Sequence, residues 1–361
     1  MEQNKKVLVS GASFAGLTTA YWMNKMGYKV TVVEVGKHLK MGGTPVDIKD
    51  TTVDIVKRMG IFDQIKAHRI GPEKWEFKNA DDVTENTFLL EKLPENEFEI
   101  ERDTLLNMLF ELIKDNVEFI LNNSITSIQE NKDGVNISFK DGSQRSFELI
   151  FGCDGIHSAV RKIWFGQEAE YIHFLGQYFS IAIANKLLVE EGTYQMYGEP
   201  DKGVALYAYN HKTDIIFTFR SEKEIPYDFR DQEQQKEIIS TQFSGMRWRT
   251  AELQKELINA PNFYFDMFCQ IKMPFWTKGR IALAGDAGYC ASPAAGMGGS
   301  LAIIGATALA DAIEKYNGNY ELAFEAYNAD LRPFVEEVQA GAVEMLDKLL
   351  PRTEEEIKVW V

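Results

Sequence analysis

Cysteine is scarce in this chain: Cys153, Cys269 and Cys290 are the whole set. Their wide spacing fits neither a zinc knuckle nor a Cys-x-x-Cys redox pair, and so few thiols point to a reducing, cytoplasmic setting. Histidine is also scarce. His38, His68, His157, His173 and His211 are scattered and form no metal-binding spacing. Basic residues are outnumbered: 39 Lys and Arg against 54 Asp and Glu leave a formal charge of −15. That balance argues against nucleic acid and anionic membrane surfaces as partners. No apolar run approaches about 18 residues, so no membrane span is expected. Residues 1–6 are polar and hold no signal-peptide core. Repeats and low-complexity segments are absent. What is present is an ordinary folded-protein composition, 45% apolar and 12% aromatic, in 361 residues. That length suits one large or two smaller domains.

The densest information lies in residues 5–34, KKVLVSGASFAGLTTAYWMNKMGYKVTVVE. An apolar run ends at Gly11, a segment of small residues follows, and a second apolar run closes on Glu34. Strand, glycine turn, helix, strand and acid, in that order, describe a dinucleotide-binding βαβ unit. Gly11 permits a tight turn off the strand and Gly16 lets the helix approach the sheet. The helix N-terminus offers N–H groups and a positive dipole end to a pyrophosphate. A carboxylate at Glu34 can accept hydrogen bonds from both hydroxyls of an adenosine ribose. Ser13 stands where the pattern asks for a second glycine.

Further along, helical spacing covers residues 53–67 with Gly60 as a break, and residues 102–114 with an apolar face of Leu105, Leu106, Leu109, Phe110 and Ile113. Residues 75–93 read as short strands. Strands follow at 117–121 and 124–129, then a hairpin around Asp141-Gly142 and a buried strand at 149–152. From 171 to 219 alternating aromatic runs suggest an antiparallel sheet. Residues 231–243 and 250–258 read as helices, 262–270 as a strand, and 320 onward as helix.

Two more stretches carry chemistry. FGCDGIHSAVRK (151–162) places an Asp-Gly turn after a strand, with Ser158 as a helix cap. Alone it is equally a plain capped helix start. GRIALAGDAGYCASPAAGMGGSLAIIG (279–305) ends a buried strand at Gly285-Asp286, then concentrates glycine before a small-residue helix. Backbone N–H groups in such a stretch can approach an anion or a ring edge closely.

Together the three stretches resemble the GxGxxG, DG and GD motifs of class A flavoprotein monooxygenases, the family that includes para-hydroxybenzoate hydroxylase. The resemblance extends to GGTPVDIKD (42–50), EIERDTLLNML (99–109) and QIKMPFWTKGRIALAGDA (270–287). It also touches the tetracycline-inactivating monooxygenases. The implied fold is α/β (α+β overall): a Rossmann-like FAD-binding domain (1–72, 96–168 and 275–330) interrupted by a mixed or antiparallel-sheet substrate domain (73–95 and 169–274), with a C-terminal helical segment (331–361).

The resemblance implies FAD as cofactor and NADPH or NADH as reductant. Molecular oxygen would form a flavin C4a-hydroperoxide that hydroxylates a small aromatic or polycyclic substrate. By the same resemblance Gly11, Ser13, Ala15 and Gly16 hold the pyrophosphate region, Glu34 the ribose, and Arg102 reaches the FAD. Asp286 serves the ribityl or pyrophosphate part, and Gly298 and Gly299 present N–H groups to the flavin N1–C2=O edge. Pro293 and Asp47 lie by the flavin, while Asp154 supports FAD and reductant through its loop. Val35 replaces a frequent arginine, leaving only its backbone for adenosine. Lys37 and Lys40 are either reductant-phosphate contacts or ordinary surface lysines. Met297 and Ser300 replace a frequent glutamine and asparagine. Gln195, Tyr207, Tyr209, Phe217 and Phe219 are candidates to line the substrate pocket. No catalytic triad and no metal are called for. The same fold also hosts flavin halogenases, whose WxWxIP stretch is absent, FAD-dependent reductases or dehydrogenases, and non-catalytic flavin- or ligand-binding proteins. Oligomeric state is not legible.

Overall fold

The computed structural model describes residues 5–91, 94, 97–260 and 262–360, with side chains to 358. The ends of two expected segments, Leu93 and the 95/96 boundary, lie outside the described residues, as do residues 1–4 and 361.

Two sheets organise the chain. The first has six strands in the order Thr277–Lys278, Ile281–Leu283, Leu149–Gly152, Lys6–Ser10, Lys29–Glu34, Glu118–Leu121. All pairings are parallel except the edge pair of Thr277–Lys278 with Ile281–Leu283. Such a sheet needs cover on both faces, which explains its continuous apolar strands. Val7, Leu8, Val9, Ile150, Phe151, Ile281 and Leu283 are all fully buried. The helix Phe14–Lys25 makes the first crossover, and the helix Gly298–Lys315 packs beside it, joined by the Trp22 indole N–H donating to Thr307 Oγ1 at 2.9 Å.

The second sheet has seven strands in the order Phe263–Ile271, Ile172–Ala184, Lys212–Arg220, Lys202–Tyr209, Thr193–Glu199, Lys74–Lys78, Thr84–Leu89. It is antiparallel apart from the pairing of Thr193–Glu199 with Lys74–Lys78. Side chains alternate between its faces. One face carries Tyr178, Leu206, Ile215, Phe217, Phe219 and Phe265. It forms a closed core with Ile239 and Phe243 near the helix Gln232–Gln242, and with Leu253 and Leu257 of Thr250–Asn259. The opposite face turns toward the first sheet's loops and carries Tyr194, Tyr207, Tyr209, Asp214 and Tyr264.

A small antiparallel sheet (Val46–Ile48, Phe98–Ile100, Arg69–Ile70) lies where these halves meet. Gly60, at φ 77°, separates the helices Thr51–Met59 and Phe62–Ala67, at the break expected there. The helix Tyr320–Leu349 runs without interruption through position 331, where a separate tail was expected to begin. Its first half packs Phe324, Tyr327 and Val335 into the first core, and Leu346 near its end meets Phe179 and Phe268 of the second sheet. Gln339 Nε2 donates to the carbonyls of Ile271 and Cys290 at 2.9 and 3.1 Å. One helix therefore clamps both sheets, and a break at 331 would separate contacts it holds together.

The alternation decides between two roles for the sheet aromatics. Phe217→Ala should cost about 3–5 kcal/mol, as for a buried aromatic removed from a packed core. Tyr207→Phe, which loses one hydroxyl, should cost about 1 kcal/mol. Urea unfolding midpoints of the two variants check this; equal losses would contradict the assignment of faces.

Candidate active site

The three motifs converge at the carboxyl ends of the central parallel strands, the crevice where open α/β sheets bind ligands. Crowding holds them there. At Gly11 (φ 101°) a Cβ would meet the Cys153 carbonyl oxygen at 2.4 Å, and at Gly16 one would meet the Gly11 carbonyl oxygen at 1.9 Å. A Cβ at Gly285 would meet the Ala15 Cβ at 2.9 Å, so the third motif abuts the first.

Around this junction the side chains fall into place. Glu34 accepts the Ala12 N–H on Oε2 at 2.9 Å and the Gly36 N–H on Oε1 at 2.8 Å. Each oxygen keeps a lone pair for a further donor. Val35 is 67% exposed and makes no side-chain platform. Ser13 precedes the first helix, and its Oγ accepts from Arg102 at 3.2 Å. Arg102 also donates to the Lys40 carbonyl at 2.9 Å and lies over the Phe14 ring, 5.2 Å from its centroid. The residue that replaces a glycine is thereby linked to the arginine of another motif. Lys40 is solvent-accessible, yet its ammonium sits 4.8 Å from the Tyr264 ring centroid. Enclosure by protein and the neighbouring Arg102 push its pKa down. Lys37 is exposed.

Asp154 is committed internally. Its carboxylate takes the Ser158 hydroxyl at 2.5 Å and the N–H groups of Ala159 and Val160 at 2.8 and 3.1 Å. That shapes its loop rather than offering a carboxylate outward. Ser158 in turn caps its helix by accepting the Arg161 N–H at 3.0 Å. Asp286 differs. It is half-buried at the start of a short helical turn that ends at Cys290, whose thiol donates to the Cys269 carbonyl at 3.8 Å. Burial pushes its pKa up to about 6.

The helix Gly298–Lys315 begins at the same junction, and its first N–H groups have no partner within the helix. A Cβ on Gly298 would meet nothing within 4 Å. Gly299 is required for a different reason, since a Cβ there would strike Val46 Cγ1 at 2.5 Å. Ser300 donates its hydroxyl to the Asp47 carbonyl, fixing the helix start against the strand Val46–Ile48. Met297 precedes the helix without a side-chain cap. Pro293 is exposed and opens a short 3-10 turn after Ser292, a buried residue held at φ 87°.

Across the crevice the sheet contributes Tyr207 and Tyr209. Tyr207 donates to Glu99 Oε2 at 2.7 Å, and Tyr209 to Asp214 Oδ1 at 3.0 Å. Burial raises both carboxyls to a pKa of about 7. The other expected lining residues face away. Phe217 and Phe219 are enclosed in the helix-covered core, and Gln195 shares their face, its amide donating to Glu76 at 2.7 Å. A period of two puts Gln195 and Tyr207 on opposite sides once Gln195 pairs with Leu206. Glu99 and Asp214 were not legible beforehand as site residues. The available signal was alternation in FEI, where Phe98 and Ile100 point into the core and leave Glu99 on the crevice side. A separate cavity of about 550 Å³ lies among Phe275, Tyr320, Phe324 and Arg332, touching the start of the third stretch at Gly279 but none of the site residues named above. Among the described residues no cluster could hold a metal ion, and no helix is long and apolar enough to cross a membrane.

The FAD binding domain family matches residues 4–342. A flavin-dependent monooxygenase from Legionella longbeachae is 35% identical over 361 residues, covering 98% of this chain and 92% of the relative. The crystal structure of tetracycline destructase Tet(51) superposes with a TM-score of 0.90 at 32% identity, over 99% of this chain and 94% of that one. HpxO of Klebsiella pneumoniae, solved with FAD and uric acid, shares the fold at 20% identity, with a TM-score of 0.78 over 100% of this chain and 92% of that one. The chain belongs to the FAD-dependent class A monooxygenases.

The residues present suit FAD: a carboxylate with free lone pairs at a strand end, glycine-crowded backbone, an open helix start at Gly298, and a half-buried acid at Asp286. A raised carboxyl pKa costs the folded flavin-free protein stability as pH rises from the unfolded to the folded pKa, where the folded state still holds a proton that the unfolded state has released, and the full cost persists above it. Asp286→Asn should therefore stabilise the flavin-free protein at pH 7. The gap over wild type should close as pH falls from about 6 to about 4, where Asp286 is neutral in both states. Urea unfolding across that range measures it; a gap that is constant with pH would contradict the shift.

Proposed function

We propose that this monooxygenase uses NADPH or NADH to hydroxylate a planar polycyclic substrate of the tetracycline type. The observation that carries the reading is the 0.90 superposition on a tetracycline destructase over nearly the whole chain. The aromatic and carboxyl-bearing face opposite the helix start at Gly298 supports it. When bound, FAD supplies the activation of molecular oxygen, which side chains alone cannot perform.

The protein's part is binding, orientation and exclusion of water. Glu34 accepts from the ribose hydroxyls with its spare lone pairs. The N-terminus of Phe14–Lys25 and the Arg102 guanidinium, steadied by Ser13 and Phe14, hold the pyrophosphate. Asp286 accepts from ribityl hydroxyls. The N–H groups of Gly298 and Gly299 stabilise negative charge on the ring edge that faces them. Asp47, Pro293 and Ser292 shape the floor beside that ring. Lys40, poised over Tyr264, meets the reductant's phosphate. Tyr207 and Tyr209 line the substrate side. The FAD-binding domain spans 1–72, 96–168 and 275–330, the substrate domain 73–95 and 169–274, and the helix Tyr320–Leu349 carries the chain into the C-terminal segment 331–361. Three free, buried thiols support a cytoplasmic location.

Purified protein should be yellow, oxidise NADPH or NADH faster when tetracycline is present, and transfer one atom of isotopically labelled O2 into the product. Tetracycline turnover without label would favour a reductase. Arg102→Ala should lower FAD occupancy on the order of tenfold through loss of a charge-assisted contact, read by absorbance after gel filtration.

A further inference from the structure

The Glu99 carboxyl bridges the two halves of the crevice and still has an open oxygen. It sits in the strand Phe98–Ile100, directly opposite Asp47 in register, with Phe98 and Ile100 turned into the core. Asp47 adjoins the helix start through the Ser300 contact. From the other side Tyr207 reaches across and donates to Glu99 Oε2 at 2.7 Å. Among the described residues no donor reaches Oε1. The groups facing Glu99 are Asp47 on the neighbouring strand and Tyr207, Tyr194 and Asp214 on the sheet. Lys49 lies beyond, 3.9 Å from Asp47, and Lys212 is engaged by Glu101. Among the described residues no cation pairs with Glu99, so its charged form depends on hydrogen-bond donors.

We propose that Glu99 is a specificity-determining residue: with Tyr207 occupying Oε2, its Oε1 accepts a hydrogen bond from a hydroxyl or enol on the planar substrate. The substrate's O–H stays intact and no proton or electron is transferred. The contact supplies the missing donor and fixes which edge of the ring system turns toward the helix start at Gly298. A substrate that carries an ether in place of that hydroxyl leaves Oε1 unpaired in a half-buried site, and the charged acceptor makes the loss large. Tyr207 is the positioning residue. Its hydroxyl holds the carboxylate and favours its charged form, so Tyr207→Phe raises the pH at which Glu99 becomes an acceptor.

The inference rests on the reading of this crevice as a substrate site, and its test separates the two. The FAD-loaded protein is titrated with 2-naphthol and with 2-methoxynaphthalene, following quenching of protein fluorescence, on both sides of pH 7. The wild type should favour the naphthol on the order of tenfold above pH 7 and lose that preference below it. Glu99→Gln should show a small preference that does not change with pH, with FAD content and visible spectrum unaltered. Tyr207→Phe should keep the preference and shift its midpoint to higher pH, which a merely structural role would not do. A wild type without preference, or a Glu99→Gln variant that retains the pH dependence, overturns the assignment of Glu99. Tetracycline is titrated in parallel: naphthol selectivity without tetracycline binding would leave Glu99 standing and remove the tetracycline reading.

Discussion

Backbone crowding at the mouth of the parallel sheet is the constraint from which the rest follows. The first helix runs so close to the turn before it that Gly16 presses on the Gly11 carbonyl, while Gly11 itself presses on the backbone at Cys153. Strands that end at Ser10, Gly152 and Leu283 lie side by side in register, so the segments leaving them are forced into one small volume. Packing of Ala15 against Gly285 closes it. No single motif makes the site. The site exists because parallel strands deliver three loops to one end, and glycine is the residue that lets three backbones share that space.

Much of this was legible because it is local. A βαβ unit announces itself through period, glycine and a terminal acid; that Glu34 also grips the glycine turn through the Ala12 N–H is something only the structure shows. Sheet strands, the break at Gly60 and the helices over 232–242 and 250–259 follow from alternation and helical spacing in short windows. What failed was facing. Gln195, Phe217 and Tyr207 occur in similar aromatic runs, and composition alone gives them equal standing. Only the register, Tyr194 with Tyr207 and Tyr207 with Asp214, shows that one face was sealed by helices and the other left for the crevice. These strands are consecutive hairpins joined by only two residues each, so their register is local; what short windows lack is which face the distant helices Gln232–Gln242 and Thr250–Asn259 come back to cover. Helix from 320 onward was legible in the same way as the other helices; its continuity past Pro333 is held by contacts with two different sheets.

The departures from the family pattern acquire physical meaning in the same frame. Ser13 stands where a glycine was expected, and its hydroxyl has become the acceptor for Arg102, which joins the first loop to the segment around Lys40. Ser300 likewise ties the helix start to Asp47. Both substitutions replace backbone freedom or an amide with a short hydroxyl bridge between elements. They stiffen the crevice from within, where a longer side chain would compete with a ligand for room.

Stiffness on one side makes the other side the place where selectivity can vary. The cofactor half is fixed by glycine contacts that admit almost no substitution, whereas the sheet half meets it through polar side chains, Tyr207 to Glu99 and Asn210 and Lys212 to Glu101, with Tyr209 bonded to Asp214 within the sheet beside them. Such contacts can be exchanged residue by residue without disturbing the backbone. Burial holds two of their carboxyls near neutrality at the edge of protonation, and a carboxyl in that condition changes from acceptor to donor with small changes in its surroundings. On the proposed reading, a fold that fixes its cofactor geometry by steric necessity and meets its substrate through titratable side chains can alter what it oxidises while leaving how it oxidises untouched.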